Sequence, residues 1–223
     1  MRYTFHFGII ADNAVGFLHG IEVTLLLSVT SIAGAAVLGL VAALGRMSRV
    51  RLISLLAGGY IEFLRNTPLI VQLVWIYYCM PIILGVNLPR IPSAILGLSI
   101  GESANIAEII RAGIQAVAVG QVEAARACGL SHYRTMRLIV LPQALRLMIP
   151  PFLNSYVSLL KATALVAIIA VPDLMFTAQR MAADTFRPIE LLTTAAVLYF
   201  LLAYPVVLAV RVLERWLRLV PIH

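Results

Sequence analysis

The sequence predicts an all-α, polytopic membrane protein, with five transmembrane helices and one cytoplasmic loop of short helices forming a single domain over residues 1–223. Composition is the first reason. With 61% hydrophobic residues, 12% charged and a mean hydropathy of +0.97, the chain holds more apolar surface than one soluble core of this length can bury, so a bilayer must cover the excess. The second reason is that the apolar residues fall in five long stretches, each able to supply the about 20 residues that cross the hydrocarbon. The third is that arginines crowd the ends of these stretches on one side.

Met1 to His19 mixes charged and polar residues with aromatics, lacks the basic start and cleavage site of a signal peptide, and reads as a short outer segment. Ile21 to Leu44 is nearly all apolar after Glu22 and makes the first span. Arg46, Arg49 and Arg51 follow it. A second span is expected over 53–84, polar near its middle at Glu62, Arg65, Asn66, Thr67 and Pro68. The turn-rich link from Gly85 to Pro92 leads to a third span over about 94–117. A polar island follows over about 118–144. The fourth span, about 145–169, carries Pro150-Pro151, expected to kink it or divide it from the island. Val171 to Glu190 reads as a long polar link, and Leu191 to Val212 as the fifth span.

Five spans put the termini on opposite sides, and arginines choose which. Arg46, Arg49, Arg51, Arg111, Arg126, Arg134, Arg137, Arg146, Arg211, Arg215 and Arg218 lie on the side of the island; Arg2, Arg90, Arg180 and Arg187 lie on the other. Eleven against four places the island and the C-terminus in the cytoplasm and the N-terminus outside. This bias accounts for the net charge of +7, so no nucleic-acid partner is needed to explain it. Cys79 and Cys128 then fall on opposite sides, which disfavours a disulfide or a cysteine-based metal site.

Inside the membrane the polar residues are the informative ones, since a charge at the bilayer centre costs about 3 kcal/mol or more unless paired or hydrated. Glu62, Arg65 and Gln72 are expected on one stripe of the second span, Glu102 and Asn105 three apart on the third, and Asn154, Ser158 and Lys161 at i, i+4 and i+7 on the fourth. A hydrophilic pathway between three helices would use Arg65, Gln72, Glu102, Asn105, Ser158 and Lys161. Each stripe also has a plainer explanation. Glu62–Arg65 and Glu108–Arg111 read as i, i+3 ion pairs, and Asn154 and Ser158 as interhelical hydrogen-bonding groups. Glu102 and Lys161 lack an obvious local partner. If a free amino acid binds, Arg65 or Lys161 could meet its carboxylate, Glu102 its ammonium, and Asn105 could select its side chain.

The island reads as a knob of two short helices. Gln121 to Cys128 is rich in alanine and ends at Gly129, a natural C-terminal cap; Ser131 is the expected N-cap of a second helix running to Leu141, with Pro142 opening the next. Small side chains suit docking into a protein groove better than insertion among lipid headgroups.

Glu123-Ala124-Ala125, then Gly129, then Ile139-Val140-Leu141-Pro142 resembles the EAA loop of ABC-importer permeases. Leu64-Arg65-Asn66-Thr67-Pro68-Leu69 with Gln72, Ala107-Glu108 through Ile114, and Leu141-Pro142-Gln143-Ala144-Leu145-Arg146 are similar to the polar-amino-acid uptake branch of type I importers. The resemblance covers most of the chain from about Gly20 onward. It implies a multi-pass subunit of the bacterial inner membrane that carries a polar or charged amino acid. It also implies that the knob docks on the ATP-hydrolysing subunit through Gly120, Gln121, Glu123, Ala124, Ala125 and Gly129. The implied partners are a pair of ATP-binding subunits that hold ATP and Mg, a second permease, identical or related, and an extracytoplasmic substrate-binding protein. Two positions depart from the family pattern: Asn105 stands where a tyrosine is usual, and Lys161-Ala162-Thr163 where Lys-Asp-Thr is usual.

This chain calls for no cofactor of its own. Its only lysine, Lys161, follows Leu160, so it has no Gly-Lys-Ser/Thr phosphate loop. Two other readings remain at this point. Gly97-Leu98-Ser99-Ile100-Gly101 matches the nucleophile-elbow pattern of a serine hydrolase, although it lies in an apolar helical run that suits a small-residue helix contact better. An ATP-independent pore is the other.

Overall fold

The computed structural model describes residues 5–218, and every regular element among them is helical. In chain order these are α1 (Gly8–Asp12), α2 (Ala14–Arg46), α3 (Arg51–Asn66), α4 (Leu69–Val74), α5 (Met80–Leu84), α6 (Arg90–Gln115), α7 (Val119–Ala127), α8 (His132–Thr135), α9 (Leu141–Ala162), α10 (Leu174–Thr185) and α11 (Pro188–Arg218). Wider π turns join α4 to α5 and α8 to α9, and a 3-10 stretch over Thr163–Ile169 continues α9. Four helices are long and apolar enough to cross a membrane, and the bent pair of α3 with α4–α5 would make a fifth. Arg2 and the residues after Arg218 lie outside the described residues.

The core is a tight pairing of α2 with α6, made possible by small side chains. A Cβ on Gly39 would lie 2.8 Å from the Ser103 carbonyl, and one on Gly34 would lie 2.5 Å from Ser99 Oγ. Backbones that approach so closely gain dispersion contacts that lipid tails cannot supply better. Leu27, Leu98, Leu159 and Val166 close the centre of the bundle.

Several expectations are corrected. Helix α2 begins seven residues before Ile21, so His19, 3.7 Å from Glu22, lies on it rather than in an outer segment. The second span is not one helix. Its halves meet at 105°, because Pro68 excludes Thr67 from the helical region and holds it extended, at φ −103° and ψ 130°. Pro150-Pro151 neither break α9 nor divide it from the knob; a continuous helix runs His132–Ile169. The irregularity falls earlier, where the π turn Met136–Val140 precedes Pro142 and Gln143 Nε2 donates to the Ile139 carbonyl at 3.0 Å. The second knob helix therefore does not stop at Leu141. The polar link 171–190 also contains α10, whose apolar face of Leu174, Ala178 and Ala182 packs on Phe17 and Leu191.

Candidate functional site

The knob forms as its residue types dictate. Gly129 adopts φ +79°, and Leu130 N–H donates to the Ala125 carbonyl at 3.1 Å, closing α7 with a left-handed cap. Ser131 Oγ accepts from Arg134 N–H at 3.4 Å and starts α8. Val117, Val140 and Met148 pack with Val122 and Met136, fastening the knob to the foot of α9. Ala125 is buried; Gly120, Glu123, Ala124 and Gly129 are exposed, with open space around both glycines, and Gln121 is half-buried. The outward surface of α7 thus presents small residues, Gly120, Ala124 and Ala127, flanked by exposed Val119 and Arg126.

The polar residues divide into two sets. Glu102 on α6 is only 8% exposed and accepts hydrogen bonds from Asn105 Nδ2 at 3.2 Å and from Ser155 Oγ on α9. It faces the α6–α9 seam. Ser155 was missed in the sequence because it falls between the stripe positions Asn154 and Ser158; a hydroxyl next to that stripe was the available signal. Asn105, Asn154, Ser158 and Lys161 are exposed, and Ser158 Oγ donates back to the Asn154 carbonyl at 3.1 Å. Lys161 does not pair with Glu102, lying six residues beyond Ser155, about 9 Å along the helix axis.

The expected stripe of Glu62, Arg65 and Gln72 does not form, because the bend separates the first two from the third. Glu62 accepts from Asn66 Nδ2 at 3.2 Å, and among the described residues no ion pair joins it to Arg65, which is exposed. Gln72 turns back across the bend and donates from Nε2 to the carbonyls of Leu64 at 3.0 Å and Thr67 at 2.9 Å. These are acceptors released where α3 stops, so Gln72 caps a broken helix. Its buried Oε1 has no hydrogen-bond partner among the described residues, and Gln72 helps line an apolar pocket of about 310 Å³ with Leu64, Thr67, Trp75, Ile76 and Ile100. The Glu108–Arg111 pair is present, 2.6 Å from Nη2 to Oε2, and Arg111 also donates to Gln115 Oε1 at 2.9 Å.

A second buried acid lay in the stretch read as a link. Asp173 is fully buried, accepts the Phe176 N–H on Oδ1 at 2.8 Å and the Tyr199 hydroxyl on Oδ2 at 2.9 Å, while Thr24 Oγ1 accepts the Leu174 N–H at 3.1 Å. Burial pushes the Asp173 carboxyl above its ordinary value, with its hydrogen bonds opposing the shift. An aspartate directly before the apolar run Leu174-Met175-Phe176 is a readable N-cap signal.

The hydrolase reading finds no support in this geometry. Ser99 is buried in mid-helix and donates to the Ser31 carbonyl at 3.2 Å, while a Cβ on Gly97 or Gly101 would strike Leu73 or Leu69 of α4. Those glycines seat one helix against another. Both cysteines are free.

Comparison with known proteins agrees with this architecture. The family described as binding-protein-dependent transport system inner membrane component matches residues 35–219. The chain is 39% identical over 213 residues to the probable glutamine ABC transporter permease protein GlnP of Bacillus subtilis, covering 93% of this chain and 96% of that one. It is 33% identical over 220 residues to the glutamate/aspartate import permease protein GltK of Escherichia coli, covering 96% and 98%. Among solved structures, one described as an amino acid ABC transporter with histidines superimposes with a TM-score of 0.91 at 36% identity, covering 96% of this chain and 99% of that one. The inward-facing MetNI methionine transporter, at 20% identity and a TM-score of 0.76, shares the fold. A bundle with a glycine-capped knob at one end, matched over this length, makes the chain a member of the binding-protein-dependent inner membrane component family, among its amino-acid ABC transporter permeases.

Proposed function

We propose that this permease subunit forms half of a two-permease pathway, and that ATP binding and hydrolysis on a docked pair of ATPases switch it between inward- and outward-facing states. The observation that carries the reading is the uncovered polar face of α9. Asn154, Ser158 and Lys161 are exposed on a single chain, together with Asn105 of α6 and Arg65 of α3, although a lipid-facing charge is costly. A second permease and a hydrated passage would remove that cost. Glu102 supports the face from beneath through Asn105 and Ser155. In this reading Lys161 and Arg65 attract the carboxylate of an amino acid, and Asn105 lines the passage.

Coupling is mechanical. The small-residue surface of α7 suits a groove on the ATPase, and α7 is fastened to the foot of the continuous His132–Ile169 helix, so a push on the knob reaches the polar face through one rigid element. Nucleotide and Mg belong to the partner, since this chain has no phosphate loop. A soluble binding protein delivers substrate to the opposite end, with the N-terminus outside and the C-terminus cytoplasmic.

The test is a mild-detergent pull-down of the tagged chain from its native membrane, wild type beside Gly120→Asp. Gly120 has open space around it and no positive φ, so the substitution leaves the fold intact. An ATP-binding subunit recovered with wild type and depleted with the variant supports docking. Absence of any ATPase from both would overturn the reading and favour an ATP-independent pore.

A further inference from the structure

Phe186 closes α10 in a conformation that disfavours any residue with a Cβ, at φ +56° and ψ 31°. Its ring is 86% exposed. The fold therefore carries both a strained backbone and an uncovered phenyl group at one position, and the packing of the chain itself recovers neither. The position is also held firmly: Thr185 Oγ1 donates to the Met181 carbonyl at 2.7 Å on one side, and Arg187 lies 3.4 Å from the buried Glu190 on the other.

The surroundings indicate what the ring meets. The free face of α10 leading to it carries Gln179, Arg180 and Asp184, all exposed, while its apolar face is used against Phe17 and Leu191. A surface with both charges suits water and a protein better than hydrocarbon. One exposed aromatic at the end of a helix face that carries both charges fits an interface anchor. By the arginine distribution this end of the molecule faces away from the knob, outside the cell.

We infer that Phe186, with the exposed face of α10 that carries Arg180 and Asp184, is the anchor on which the soluble, substrate-loaded binding protein seats. The inference rests on the importer reading and on the topology given above. It explains why the cap is not glycine: glycine would relax the backbone but remove the anchor.

The experiment uses the full complex, this chain with its second permease and ATPases in lipid nanodiscs, and reads ATP hydrolysis against the concentration of the cognate loaded binding protein. Phe186→Gly and Phe186→Asn, both tolerant of the left-handed backbone, are expected to raise the half-saturating concentration about tenfold. Hydrolysis without binding protein should stay unchanged, and melting temperature should match or exceed wild type. Stimulation of either variant at the wild-type concentration would overturn the assignment while leaving the importer reading intact. A wild-type complex that shows no stimulation at all would overturn both. In a Trp75→Phe, Trp216→Phe background, the fluorescence of Phe186→Trp should respond to binding protein; quenching by acyl-brominated lipid without that response would make Phe186 a membrane anchor instead and overturn the inference.

Discussion

Tyr199, in the middle of α11, donates its hydroxyl to Asp173 at 2.9 Å and so holds the fully buried N-cap of α10 against α11. Thr24 of α2 takes the neighbouring Leu174 N–H, and a Cβ on Gly20 would lie 2.9 Å from Leu174 Cα. Three helices thus meet at the start of α10. Tyr199→Phe leaves the buried Asp173 oxygen without its donor and is expected to cost about 1–3 kcal/mol, read as a lower melting temperature in detergent.

The same carboxylate sets a pH dependence. Burial raises the Asp173 pKa in the folded protein, so the protonated form is favoured by folding. Its contribution is fully present below the ordinary aspartate value and is lost as pH rises through the raised one. Asp173→Asn keeps an oxygen for the Phe176 N–H and does not titrate. The melting-temperature difference, variant minus wild type, should therefore grow as pH is raised from below the ordinary aspartate value upward; a difference that shrinks would contradict the burial argument.

Gln72 is expected to matter for stability before transport. Gln72→Leu removes both hydrogen bonds to the carbonyls of Leu64 and Thr67 at the bend and should cost about 2 kcal/mol. Gln72→Glu offers no donor and should not rescue. Equal stability of the leucine variant and wild type in thermal unfolding would show that the bend is held by packing alone.

The two knob glycines should behave differently. Gly129→Ala forces a Cβ into φ +79° and should lose about 1 kcal/mol of stability. Gly120→Trp meets open space, so its melting temperature should match wild type while the ATPase no longer co-purifies. Retention of the ATPase by the tryptophan variant would remove α7 from the docking surface.

For the polar face, Lys161→Met is expected to lower uptake about tenfold at limiting substrate without changing stability, because Lys161 is exposed and, among the described residues, makes no hydrogen bond or ion pair. Glu102→Gln should reduce uptake less severely, acting through Asn105 and Ser155. Uptake by Glu102→Gln at wild-type affinity and rate would take Glu102 out of the pathway.

The sequence by itself determined the helical class, the long apolar elements and the knob with its glycine cap. Each of these depends on neighbours a few residues apart: hydropathy over about 20 positions, a proline, a glycine requiring positive φ. It also determined the Glu108–Arg111 pair, because i, i+3 spacing is enough to bring the groups together. Only the tertiary structure decided what the polar residues do. Glu62, Arg65 and Gln72 share a stripe only if the helix is straight, and Pro68 bends it by 105°. Glu102 finds Ser155 fifty-three positions away, and Asp173 finds Tyr199 twenty-six positions away. A buried polar group must be satisfied by whatever the packing brings to it, and periodicity along one helix carries no information about the face of another.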